Sequence, residues 1–305
     1  MHNIDVRPGQ QFEIHAYHHQ QKFDGHEIWS QVMFVGSIGK RSHQLQEGPR
    51  IQHAGWSLHI LRPTSGERVS ELVLHELANQ LVHLDNWHRV NFTETARPTI
   101  MLVLLPTEGS IHLSKTEKGV ALDGLPMWFA QTLPVEAASQ EALREWSIGV
   151  ASLIAHEVAH YMAWAGRPYS DPVEDELAAY LLETCFELES RGAVGSRLVR
   201  ISGSPEVAAV IAQGDLNHAK RLLERRSLHP TLAGRTLAHA VLARVTSSQE
   251  ISIGSEEGQR LLGFCKAAAT ERENLLDALI AISTGASNDL SDGAWQGHRG
   301  VVSAQ

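Results

Sequence analysis

The stretch LIAHEVAHYMAWAG, Leu153 to Gly166, places three ionisable side chains, His156, Glu157 and His160, in an otherwise apolar run. No proline interrupts the chain from Glu136 to Gly166, and the apolar spacing is helical. Gly166 and Pro168 form a stop signal, and Gly149 marks the point at which the run would divide into two helices. Uncompensated charge inside an apolar environment costs several kcal/mol. A chain that buries this helix must therefore bring partners to all three groups. Trp146 to Gly166 has about the length of a membrane span. Its ionisable groups, and the lack of a second apolar span, point instead to a core helix of a protein with no membrane association.

His156-Glu157-Val158-Ala159-His160 is an HExxH motif. Residues four apart lie one turn apart on one helix face, so both imidazoles point the same way and can share one tetrahedral Zn2+. Glu157, beside the first of them, is placed to take a proton from a water activated by such a cation and to pass it to a leaving amine. Leu153, Ile154, Val158 and Met162 would pack the other sides of the helix and keep the rings stiff.

Catalytic zinc sites use three protein ligands and leave one position open, so a third ligand is expected. The extended HExxHxxGxxH pattern fails, because Ala163 and Gly166 stand where its glycine and third histidine belong. A deformylase-like arrangement needs a cysteine upstream of the motif, and both cysteines here, Cys185 and Cys265, lie downstream. The next segment, DPVEDELAAYLLET, offers acids, and Asp171-Pro172 is a helix start. With HExxH on one helix and ELAAYLLE, Glu176 to Glu183, early in the next, residues 145–190 resemble the gluzincin group of zinc metallopeptidases. The resemblance implies His156, His160 and Glu176 as metal ligands, Glu157 as general base, and Zn2+ as cofactor. A helical wheel disagrees: it sets Glu174 on the apolar face with Leu177, Ala178, Leu181 and Cys185, and Glu176 toward Glu183 and Glu187. Glu174 and Asp175 therefore remain alternatives to Glu176. Each of these acids also suits a helix N-terminus, where the dipole favours negative charge.

Around this centre the pattern is α+β. Residues 11–62 read as strands (QFEIHAYHH, EIWSQVMFVG, GWSLHIL) separated by Gly, Pro and Ser. Glu67 to Trp87 is helical, with Val69, Leu72, Leu77, Leu81 and Leu84 near one face. TIMLVLL, bounded by Pro98 and Pro106, reads as a strand buried on both faces, and SIHLSK and GVAL as shorter strands. From SPEVAAVIAQ onward, five amphipathic stretches read as helices. The expected organisation is a zincin-like domain over 1–192, with a mixed sheet and active-site helices, then a linker RGAVGS. An all-α region over 197–283 and a flexible tail over 284–305 follow.

In 305 residues, 43% are hydrophobic, enough for a sizeable core, and the formal charge of −9 argues against nucleic acid as a partner. Two cysteines outside any CxxC pattern suit a reducing compartment or no need for disulfides, hence a cytoplasmic location. The 18 histidines also supply decoys. His75-Glu76 starts a second motif that ends in Asn79, and His15, His18 and His19 suit a solvated sheet face. Tyr161, Tyr180 and His112 are candidates for stabilising an oxyanion, and Gly119 to Leu122 for a sheet edge that a peptide could extend. The leading expectation is a zinc metallopeptidase acting on a peptide or protein substrate. The alternative, from another class, is a non-catalytic interaction protein with a structural or vestigial metal site, whose C-terminal helices bind a partner.

Overall fold

The computed structural model describes residues 5–6, 19–23, 26–30, 33–36, 43–63, 69–93, 97–105, 113–117, 127–132, 139–165, 171–195, 205–226, 228–245, 250–271 and 273–284. In chain order come β1 (Asp5–Val6), β2 (His19–Phe23), β3 (His26–Ser30), β4 (Met33–Gly36), β5 (His43–His53), β6 (Trp56–Pro63) and α1 (Glu71–Asn91). They are followed by β7 (Thr99–Leu105), β8 (Leu113–Glu117), β9 (Met127–Thr132), α2 (Gln140–Ala165), α3 (Pro172–Arg191) and β10 (Ala193–Gly195). The remainder is α4 (Pro205–Ala212), α5 (Leu216–Arg225), α6 (Pro230–Val245), β11 (Glu250–Ser252), α7 (Glu256–Thr270) and α8 (Leu275–Thr284).

The main sheet has the order β1-β5-β6-β7-β9. β5 and β6 form an antiparallel hairpin, whereas β6, β7 and β9 run parallel. Both turn residues of the hairpin, Ala54 (φ 47°) and Gly55 (φ 91°), have positive φ, as the twist of a two-residue hairpin loop demands. Parallel neighbours need a crossover, and α1 supplies the one between β6 and β7. Ser70 caps α1 by accepting from the Val73 amide.

Trp56, Leu58 and Ile60 on β6, Ile100, Leu102 and Leu104 on β7, and Met127 and Phe129 on β9 turn into the core. Thr99 and Met101 are half-buried, so β7 has one fully buried face and not the two expected. Val73, Leu77, Leu81, Leu84 and Trp87 of α1 meet the same core, while Leu72 is exposed, one position off the buried stripe. β9 is a strand that sequence reading omitted. The QFEIHAYHH run up to residue 18, and Gly119 to Leu122, lie outside the described residues, and EIWSQVMFVG divides into β3, paired with β2, and β4, paired with β8.

α2 is one helix of 26 residues, so Gly149 does not divide it. An added Cβ there would meet nothing within 4 Å, and tertiary packing on both sides outweighs the weak helix preference of one glycine. α3 begins where Asp171-Pro172 predicts: the Asp171 carboxylate accepts from the amides of Val173 (2.7 Å) and Glu174 (3.2 Å). It ends at Gly192 in the left-handed conformation, φ 76°.

α3 packs on α1, α2, α6 and α7, so one hydrophobic cluster runs from the sheet through the C-terminal helices. The stretch read as a linker contributes β10, which pairs antiparallel with β11. Cys185 of α3 and Cys265 of α7 also meet, Cα to Cα 6.3 Å, in a disulfide between two buried side chains. Separation in sequence hid that pairing, which removes the ground for inferring a reducing compartment from distant cysteines. Among the described residues no helix is long and apolar enough to cross a membrane.

Candidate metal centre

The buried middle of α2 carries the HExxH residues, and α3 crosses it with an acidic stripe. Glu176, Tyr180, Glu183 and Glu187 follow one another at helical spacing of four, three and four residues. His156, Glu157 and His160 are buried, at 2%, 4% and 8% exposure, so burial demands partners, and those of the two histidines have to come from α3.

They do. The Nδ1 of His156 lies 2.9 Å from Glu183 Oε2, and the Nδ1 of His160 lies 2.9 Å from Asp175 Oδ2. In a neutral ring, donation from Nδ1 to a carboxylate leaves Nε2 as the lone-pair nitrogen. The two Nε2 atoms lie 3.6 Å (His156) and 3.8 Å (His160) from one oxygen, Glu176 Oε2. That oxygen is buried and has no hydrogen-bond partner. The other Glu176 oxygen accepts from the Thr231 hydroxyl of α6 at 2.6 Å. The two imidazoles stand edge to face, centroids 5.0 Å apart, and the Tyr180 ring lies 4.5 Å from His156 on its other side. Ser152, one turn before His156, donates to Glu187 (2.9 Å) and reaches Glu183 (3.4 Å).

The electrostatics follow from this crowding. Burial by itself would pull His160 down, but Asp175, Glu157 and Glu176 together raise it to about 9. Burial likewise pushes Glu176 up, and the neighbouring His156, His160 and Thr231 outweigh it, holding the carboxyl at about 2. Tyr180 is pushed up to about 12, first by burial and then by Glu176 and Glu183, with Arg235 opposing, so its hydroxyl stays protonated at physiological pH. Glu187 is raised by burial and by Glu183, against its bond from Ser152. Glu157, Asp175, Glu176 and Glu183 thus surround two imidazoles, an excess of negative charge that a bound cation would balance.

His156, His160 and Glu176 each offer one ligand atom, all within 4.8 Å of one another, and among the described residues they are the group that could hold a metal ion. Two imidazole nitrogens and a carboxylate oxygen are a borderline-soft donor set suited to Zn2+. Bonds of about 2.0–2.1 Å in a tetrahedron put neighbouring ligands about 3.3 Å apart, close to the observed oxygen–nitrogen separations. The donor set and the orphaned buried oxygen both fit the ion.

The other expected residues fall elsewhere. Glu174 turns to Lys220 of α5, 2.6 Å away, and that ammonium also meets Asp171 at 2.6 Å. Asp175 bonds the far nitrogen of His160 and is not turned to the shared space. The wheel grouped Glu174 with the apolar face, whereas its carboxylate accepts from Lys220. His75 is exposed and His83 half-buried on α1. Tyr161 and Tyr180 both pack against the core, and the Tyr180 ring also meets His156. His112, His15, His18 and Gly119 to Leu122 lie outside the described residues, as does the side chain of His19. Sequence reading missed the roles of Asp175, Glu183 and Thr231. The acids at 176, 183 and 187 on one face of α3 were a readable signal for Glu183; nothing local marks Thr231.

No protein-family model matches the chain, and no curated protein sequence matches it. Among solved structures the chain is similar to the M1 zinc metallopeptidase from Deinococcus radiodurans, with 14% identity and a TM-score of 0.31. The alignment covers 92% of this chain and 59% of that one, so the chain spans well under two thirds of that enzyme's length.

Proposed function

We propose that the protein is a zinc-dependent metallopeptidase in which His156, His160 and Glu176 hold Zn2+ and Glu157 is the general base. The observation that carries this reading is the orientation of three donors. Two Nδ1–carboxylate bonds turn both Nε2 atoms toward the one buried Glu176 oxygen that has no hydrogen-bond partner. Zn2+ held there supplies Lewis-acid polarisation of a peptide carbonyl and acidifies a water molecule. Glu157, next to His156 on the same buried turn, accepts the proton of that attacking water and returns it to the leaving amine. Glu183 and Asp175 fix the rings against rotation and raise their basicity as ligands. Tyr180, whose ring packs against His156 and whose hydroxyl stays protonated, is the candidate donor to a developing oxyanion.

Three protein ligands leave a position for water and substrate, whereas structural zinc sites close with four. The group here has three members among the described residues, which favours a peptidase over an interaction protein with a structural ion. The substrate class is a peptide or protein. The test is Glu157→Gln, with cleavage of a quenched fluorogenic peptide library and zinc content measured on the same preparation. Zinc stays at the parent level and cleavage falls by about 10²- to 10⁴-fold. A variant that cleaves as fast as the parent removes Glu157 from the mechanism.

A further inference from the structure

The C-terminal helices are not a separate attachment to the candidate centre. α6 packs along α3, and its first turn delivers the Thr231 hydroxyl to Glu176 Oε1 at 2.6 Å. The approach depends on Gly234, one turn further along α6. A Cβ at that position would lie 2.5 Å from Glu176 Cβ, 2.8 Å from the Leu177 amide nitrogen and 2.9 Å from the Val173 carbonyl oxygen. Two of those three neighbours are backbone atoms of α3, which cannot swing aside as a side chain could. The absence of a side chain at Gly234 therefore sets the two helices close enough for Thr231 to reach.

The consequence is geometric. A carboxylate at this point of α3 can rotate about its last bond and offer either oxygen, or both, to the space between the histidines. One short hydrogen bond from a half-buried hydroxyl removes that freedom. It occupies Oε1 and leaves Oε2 facing His156 and His160.

We propose that Thr231 is a positioning residue of the metal centre: α6, admitted by Gly234, orients Glu176 so that a single oxygen is presented to the cation. This rests on the reading of His156, His160 and Glu176 as the ligand set. It assigns a part of the centre to the helical region that sequence patterning separates from it.

The test compares the parent with Thr231→Val, which keeps the shape and loses the hydroxyl, Thr231→Ser, which keeps the hydroxyl, and Thr231→Ala. Zinc affinity is measured by competition with a chromophoric chelator, and melting temperature in excess EDTA. Thr231→Val and Thr231→Ala are expected to bind zinc about 10- to 100-fold more weakly than the parent, the usual effect of losing a group that orients a ligand. Thr231→Ser is expected to stay within about threefold of the parent. A purely structural role would lower the EDTA melting temperature and leave affinity unchanged, which overturns the proposal. So does parent-like affinity in both Thr231→Val and Thr231→Ala. A parent that binds no zinc fails earlier and differently, since the ligand set itself is then wrong.

Discussion

Two clusters of buried charged groups stand out among the described residues, and they differ in how completely their carboxylates are satisfied. In the first, Asp85 of α1 accepts from Trp56 Nε1 (3.2 Å) and from Arg97 Nε and Nη2 (3.3 and 3.2 Å), and pairs with Arg89 Nε at 2.7 Å. Arg97 also lies over the Trp56 ring, 5.4 Å from its centroid. Both carboxylate oxygens are engaged, two cations face one anion, and the cluster ties β6 to α1. In the second, between α2, α3 and α6, four carboxylates surround two imidazoles, and one buried oxygen, Glu176 Oε2, has no hydrogen-bond partner. A closed, charge-compensated cluster does its work by holding elements together. An open one with excess charge, held at a cost in folding free energy, suits the bound cation proposed above.

That contrast fails if the two clusters respond alike to mutation. The largest effect is expected from Asp85→Ala. It removes the buried carboxylate that Arg97 and the Trp56 N–H bond, and lowers stability by about 3–5 kcal/mol in a denaturant titration. Zinc content per folded chain should not change. If it falls as far as stability does, the two clusters are not independent.

Glu183→Gln sharpens the comparison from the other side. It removes the charge that holds His156 Nδ1 and should weaken zinc about 10- to 100-fold in chelator competition, or about 1.4–2.7 kcal/mol. The metal-free protein should melt close to the parent, because the variant relieves some of the crowding of negative charge. Parent-like affinity would show that Glu183 merely neighbours the ring.

A smaller effect separates both clusters from ordinary strain. Glu189, in the last turn of α3, is raised to about 7 by burial alone, and a helix C-terminus also disfavours its negative charge. Between about pH 4.5 and 7 the folded state holds this proton and the unfolded state has lost it, so stability falls as pH rises through that window. The penalty is complete above about pH 7 and absent below 4.5. Glu189→Gln should gain about 1–3 kcal/mol at pH 8 and nothing at pH 4, read from denaturant midpoints. Equal gains at both pH values would assign the effect to packing.

The same contrast explains what the sequence made legible. His156, Glu157 and His160 were readable because their relation is a property of one helix. Asp171-Pro172 announced α3 for the same reason, and the five C-terminal helices followed from their own apolar stripes. Between elements, legibility fell. Glu174 is engaged by Lys220, which stands 46 residues from it, a partner that no wheel can show. Thr231 lies 55 residues from Glu176, and no local pattern links a threonine to a carboxylate that far away. Cys185 and Cys265, 80 apart, were separated by the same kind of distance. Gly149 misled in the other direction, since a local breaker was overridden by the buried residues that flank it on α2, Ile148 and Val150.

The claim underneath all of this is that one zinc ion sits between α2 and α3. The direct measurement is the metal content of protein purified without added zinc, by plasma emission spectrometry, with His156→Ala prepared in parallel. The account predicts about one zinc per chain in the parent and almost none in the variant, both folded. A parent without zinc, or a His156→Ala protein that keeps it, would contradict it.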